Sequence, residues 1–184
     1  MLSYEYAVFI SLLAFFIQLA SSSIPQPHAN NLVLVKIGGS CVTNKKAFEE
    51  LNGENLEKFC LELAAASSNI SRHVVVHGAG SFGHFSARRY ELVKGGRDED
   101  WRRGFCETRA SVLKLNTLII GALIKYKLAA TTVTLFPSAL TRRRVLDVEG
   151  PLTMCDLIIE NGMIPVIHGD AILDVDHRCT IFRL

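Results

Sequence analysis

The run Val74-Val75-Val76 breaks into His77-Gly78-Ala79-Gly80-Ser81-Phe82-Gly83-His84, and no other stretch restricts the fold as much. A β-branched run that ends in spaced glycines reads as a buried strand turning sharply into a helix. Strands that are apolar at nearly every position belong to parallel sheets covered on both faces. Gly78, Gly80 and Gly83 carry no Cβ, so the backbone there can approach a ligand closely and aim its N–H groups at it. A helix N-terminus also carries partial positive charge, which favours anions and phosphate above all. His84 adds a titratable donor just beyond the turn.

A second turn of this kind lies upstream. The short apolar strand Leu32-Val33-Leu34-Val35 runs into Lys36-Ile37-Gly38-Gly39-Ser40, and Lys45 follows nine residues after Lys36. Lys36 places a fixed cation at the strand end, and the paired glycines expose further backbone donors. Two glycine turns with two lysines describe a site for more than one phosphate. Phosphoryl transfer fits that pattern, because there the protein mainly positions its substrates and offsets charge.

The rest of the chain continues the alternation. Strands are expected at 32–37, 73–77, 131–135 and 163–168, with Pro137 stopping the third. Helices are expected near 54–66, from Ser81, over 101–127 and over 151–161, where Pro151 suits a first turn and Asn161-Gly162 a C-terminus. Gly169-Asp170 reads as a turn into 171–174. The fold class is α/β, a three-layer α/β/α sandwich on a mainly parallel sheet.

Length and composition narrow the function. A chain of 184 residues suits one folded domain. A net charge of +2 is too small to argue for nucleic acid. Arg142-Arg143-Arg144 reads as a solvated loop. Five cysteines without C-x-x-C spacing point to reduced thiols rather than a disulfide framework or a zinc site, with Cys60 and Cys155 as core fillers. Residues 1–23 form a separate N-terminal segment, apolar over 7–20, and 24–31 a Ser/Pro/Asn-rich linker. The apolar run is short for a spanning helix, which needs about 20 residues. It reads as a signal-like leader, a short anchor that alone would touch a membrane, or an extension foreign to the domain. A nucleotide-using enzyme leans the location to the cytoplasm, with a secretory or anchored protein as the alternative.

Several motifs have competing readings. Gly78-x-Gly80-x-x-Gly83 formally matches a dinucleotide fingerprint, with Asp98 or Asp100 about 20 residues on, but a lone match is weak and leaves His84 and the lysine turn unexplained. Ala79-Gly80-Ser81-Phe82-Gly83 is a near miss to a hydrolase nucleophile elbow, and the partners His168 and Asp170 or Asp174 come in the wrong order. His84 is a candidate ligand contact. His77 and His168 each end a strand, where pinning the loop and touching a ligand are both open. Asp170 stands at the carboxyl end of the fourth strand, where open α/β sheets bind ligands.

Lys36 to Ser40, Lys45, Val76 to His84 and Pro165-Val166-Ile167-His168-Gly169-Asp170 together resemble isopentenyl phosphate kinase, a branch of the amino acid kinase superfamily. The resemblance covers about residues 32–181, and the Ser81-Phe82-Gly83-His84 ending is its specific part. It implies ATP-dependent conversion of isopentenyl phosphate to isopentenyl diphosphate, with Mg2+ accompanying ATP, no metal-binding residue named, and subunit contacts of a homodimer. On that resemblance Lys36, Ile37, Gly38, Gly39, Ser40 and Gly80 face the ATP phosphates, Ala79 and His84 hold the substrate phosphate, and Lys45 and His84 are catalytic. The family continues through a Ser-Gly-Asp turn into a nucleotide lobe, where this sequence reads Phe182-Arg183-Leu184. The expectation is therefore a partial domain over 32–184 that lacks the C-terminal nucleotide lobe, exposes a strand edge near 164–168, and shows little kinase activity alone. Kinases of other small phosphates or phosphonates, and a non-catalytic phosphate-binding fragment, are the alternatives.

Overall fold

A computed structural model describes residues 32–67, 70, 72–96, 99–146 and 149–183. The expectations for 1–23, for 24–31 and for Asp98 lie outside the described residues. In chain order the elements are β1 (Leu32–Ile37), the one-turn α1 (Gly39–Val42), α2 (Gly53–Ser67), β2 (Arg72–His77) and α3 (Gly80–Arg89). A 3-10 turn at Leu92–Lys94 precedes α4 (Trp101–Lys125) and β3 (Ala130–Val133). Then come β4 (Thr141–Arg142), β5 (Val145–Leu146), α5 (Glu149–Glu160), β6 (Ile164–His168), β7 (Asp170–Asp174) and β8 (Arg178–Phe182).

The first sheet has the order β1-β2-β6-β3, all parallel. Alternation along the strands sends Val35, Ile37, Val75 and Val166 to one face, against Leu56, Cys60 and Leu63 of α2 and Leu115, Ile119 and Leu123 of α4. The α4 residues recur every four positions, the stripe expected of a helix lying on a sheet. On the other face Val74, Val76 and Ile167 meet Ile159, and Val133 and Ile167 meet Cys155 and Ile158, all from α5. These are the three layers expected. The chain does not present β6 as an edge, contrary to the expectation for 164–168. β6 lies between β2 and β3 because the return from β3 through α5 inserts it, so the described edges are β1 and β3.

A second sheet, β5-β4-β7-β8, was not legible in the sequence. It is antiparallel at β4/β5 and β7/β8 and parallel at β4/β7. Gly169 alone separates β6 from β7, so 170–174 is a strand, not the far side of a turn. Ala171 and Cys179 of this sheet pack with Ala87, Tyr90, Leu92 and Phe105. Arg143 (φ 51) and Arg144 (φ 65) form the two-residue turn of the β4–β5 hairpin, and their N–H groups donate to Asp176 and Asp174 at 3.1 and 2.8 Å. The triple-arginine run is thus exposed, as expected, but it belongs to a hairpin rather than a plain loop. Cys60 and Cys155 are buried and all five cysteines are free.

Candidate functional site

Register brings three strands level at their carboxyl ends, since Ile37 pairs with His77 and His77 with His168. The next residue of each is a glycine: Gly38, Gly78 and Gly169. The Gly78 N–H donates to the Ile37 carbonyl at 3.2 Å, and the Gly169 N–H to the His77 carbonyl at 3.0 Å. Three turns are thus stitched into one row at the edge where open α/β sheets bind ligands.

Two further glycines let α1 and α3 start against each other. A Cβ on Gly39 would stand 2.7 Å from the Gly80 Cα and 2.9 Å from the Gly78 carbonyl carbon. Gly80 has φ +51, and a Cβ there would meet Thr43 and sit 2.7 Å from the Gly39 oxygen. Thr43, which is 2% exposed, ties the turns together. Its hydroxyl donates to the Gly39 carbonyl at 2.7 Å and accepts the Ser81 N–H at 3.0 Å. Nothing in the sequence marked Thr43, because Ser81 is 38 residues away.

This arrangement leaves the amides of Gly39, Ser40, Ala79 and Gly80 without an acceptor among the described residues. They are the donors an anion would meet. Two of the expected donors are spent elsewhere. The Gly78 N–H bonds to β1, and the Gly83 N–H donates to the Ala79 carbonyl at 3.2 Å inside the helix. Gly83 serves packing instead: a Cβ there would run into Ala79 and approach Val112 at 3.1 Å.

The loop carrying Lys45 is fastened over α3. Thr43 and Leu51 form a bridge, and the Asn44 and Asn52 amides donate to the Glu50 and Val42 carbonyls at 2.9 and 2.8 Å. Phe48 meets Phe85 edge to face, 5.9 Å between ring centres, and Glu49 pairs with Lys114. Lys45 thereby comes near His84. Partial burial lowers the proton affinity of His84, and the positive charges of Arg183, Arg88 and Lys45 lower it further. None of these three cations forms an ion pair among the described residues. The surroundings of His84 therefore carry uncompensated positive charge. Ser40 and Lys45 also line an open groove with Asn44, Lys46, Glu50 and Asn52. Lys36 is exposed on the face of β1 opposite Ile37 and is not among the charges acting on His84.

His77, His168 and Asp170 do not face the groove. Both rings are 0% exposed, and burial holds the His77 pKa down to about 4 and lowers that of His168. The Asp170 carboxylate is 0% exposed and paired with Arg109, whose Nε lies 3.2 and 3.1 Å from its oxygens and whose Nη2 lies 3.1 Å from Oδ2. Burial raises the Asp170 pKa, with Arg109 opposing. Arg109 also stacks 4.5 Å over Phe136, so the pair joins α4, β7 and the segment after β3. Arg109 lies 61 residues before Asp170, too far for the sequence to pair them. Among the described residues no group of three or more His, Cys, Asp or Glu is placed to hold a metal ion, and no helix is long and apolar enough to cross a membrane.

The chain is similar to known proteins. The amino acid kinase family model matches residues 31–183. A protein of Arabidopsis thaliana named isopentenyl phosphate kinase is 32% identical, over 80% of this chain and 55% of its own length. One of the same name from Methanothermobacter thermautotrophicus is 36% identical, over 80% of this chain and 56% of its own. A solved structure of an isopentenyl phosphate kinase superposes with a TM-score of 0.74 at 30% identity, covering 83% of this chain and 63% of that one. The chain thus spans little more than half the length of the relatives it matches. With the parallel sheet, the level glycine turns and a family match over nearly all the described residues, the chain belongs to the amino acid kinase family.

Proposed function

We propose that this chain carries the acceptor half of a kinase site that transfers the γ-phosphoryl group of ATP to isopentenyl phosphate, giving isopentenyl diphosphate. The observation that carries this reading is the cationic surround of His84 beside four unspent amides. Ala79 N–H and His84 bind the acceptor phosphate. Gly39, Ser40 and Gly80 N–H, with Ile37 and Gly38 shaping the turns and Lys36 at the strand end, face the donor phosphates. Lys45 offsets the charge of the group in transit.

The acceptor oxygen is already ionised, so no general base is required. That oxygen forms a bond to the γ-phosphorus as the bond to the β-bridging oxygen breaks, and ADP leaves with the electron pair. What the protein must supply is alignment and relief of repulsion between two anions, which oriented amides and cations provide without reorganising. In this reading Mg2+ accompanies ATP. An ATP-dependent reaction fits a cytoplasmic protein. A homodimer and membrane contact through residues 7–20 are tested by size exclusion and vesicle flotation.

Calorimetry with isopentenyl phosphate, isopentenol and a small phosphonate, followed by coupled detection of ADP release, tests the reading. The monophosphate should bind and the alcohol should not, and in a version spanning the relatives' full length ADP release should rise with the monophosphate. His84→Ala should weaken monophosphate binding about tenfold, the loss of one charge-assisted hydrogen bond. Preference for the phosphonate, or binding indifferent to the phosphate group, would refute it.

A further inference from the structure

His77 and His168 stand side by side in the parallel register, ring centres 5.6 Å apart, at the level of the glycine row. Each makes the same unusual contact. The His77 Nδ1 lies 3.1 Å from the carbonyl oxygen of Gly78, and the His168 Nδ1 lies 3.1 Å from that of Gly169. A carbonyl only accepts, so the proton of each ring sits on Nδ1. Burial keeps both rings neutral, which leaves a bare lone pair on each Nε2.

For His77 that lone pair has a partner. As placed, Asn116 sets its Oδ1 3.1 Å from Nε2 and donates from Nδ2 to the Thr132 hydroxyl at 2.7 Å. With Oδ1 toward the ring two acceptors would face each other. A half-turn of the planar amide puts its NH2 toward Nε2 and its oxygen toward the hydroxyl, which satisfies every group. The His168 Nε2 is buried with no partner among the described residues, so this ring is anchored only through Nδ1.

The consequence lies in the peptide planes. A peptide bond is planar and trans, so holding the Gly78 carbonyl toward a buried ring forces the Ala79 N–H to the opposite side, away from the core. Glycine offers little resistance to a flip of that plane. A flipped plane would present an oxygen to the anion instead of a hydrogen. The neighbouring turn is coupled, since Gly169 donates to the His77 carbonyl and its Cβ position lies 3.9 Å from the Ala79 nitrogen.

We propose that His77 and His168 are positioning residues, paired neutral imidazoles that lock the glycine peptides 78–79 and 169–170 so that the Ala79 donor faces the acceptor phosphate. The inference rests on the glycine row being a phosphate cradle, and the test separates the two. Nitrogen-15 NMR of the wild-type imidazoles should show both protons on Nδ1, and His77 should not titrate between about pH 8 and about pH 5.5. For variants the probes are isopentenyl phosphate and inorganic phosphate, read by calorimetry. His77→Phe and His168→Phe keep a ring but lose the donor, and should weaken binding about tenfold. His77→Asn and His168→Asn, whose amides reach the same carbonyls, should return affinity to within about threefold of wild type. An Nε2–H tautomer, titration near the ordinary histidine value, or equal losses in the Asn and Phe variants would overturn the lock and leave the cradle standing. If a Phe variant does not fold, the wild-type tautomer and the Asn variants decide. Wild-type chain that binds neither probe overturns cradle and lock together.

Discussion

Lowering the pH from about 7 to about 5 should cost this fold about 2 kcal/mol through His77 alone. Burial holds that imidazole at a pKa of about 4 in the folded chain, against about 6.5 when unfolded. The folded value is the depressed one, so between these limits the unfolded chain binds more protons. Stability from His77 is complete above about pH 6.5 and drains away toward pH 4, at up to about 1.4 kcal/mol per pH unit. His168, equally buried, adds in the same direction. Urea unfolding at pH 7, 6 and 5, wild type against His77→Asn, isolates the share of His77. Asparagine does not titrate in this range, so the variant starts less stable but should lose about 2 kcal/mol less on acidification. Parallel pH profiles would refute the neutral buried ring and remove the physical basis of the peptide lock.

Other perturbations have equally definite signs. Gly80→Ala should destabilise by more than about 1 kcal/mol and abolish measurable phosphate binding, because φ +51 and the Gly39 oxygen leave no room for a Cβ. Gly121→Ala, where nothing lies within 4 Å, should instead stabilise α4 by about 0.5–1 kcal/mol, and thermal melts compare the two. Arg109→Met should cost about 3–5 kcal/mol by stranding the buried Asp170 carboxylate, and adding Asp170→Leu should recover most of it in chemical denaturation. Thiol titration of the native chain at about pH 8 should show Cys41 and Cys106 reacting fast. Cys60 and Cys179, pushed up to about 11, and buried Cys155 should wait for unfolding.

What the sequence revealed follows from how local each signal is. β1, β2 and β6 were readable because Leu32-Val33-Leu34-Val35, Val74-Val75-Val76 and Pro165-Val166-Ile167 are unbroken apolar runs ended by glycine. The central place of β6 was not, since strand order depends on a crossover that no single segment encodes. The second sheet escaped because β4 and β5 are two residues each and β7 begins one residue after β6 ends. At the site, the glycine turns and His84 announced themselves, whereas Thr43, Arg109 and Asn116 act through partners 38, 61 and 39 residues away. Gly83 shows the opposite limit. Its place in a glycine motif suggested a donor, but one turn into α3 its N–H is spent within the helix.

Amide NMR of the 184-residue chain during titration with isopentenyl phosphate tests the cradle most directly. The account predicts that the Ala79 amide shifts more than the Gly39 and Ser40 amides, and that the His84 ring gains proton affinity as the anion offsets Lys45, Arg88 and Arg183. Shifts centred elsewhere, with the Ala79 amide and His84 unmoved, would contradict it.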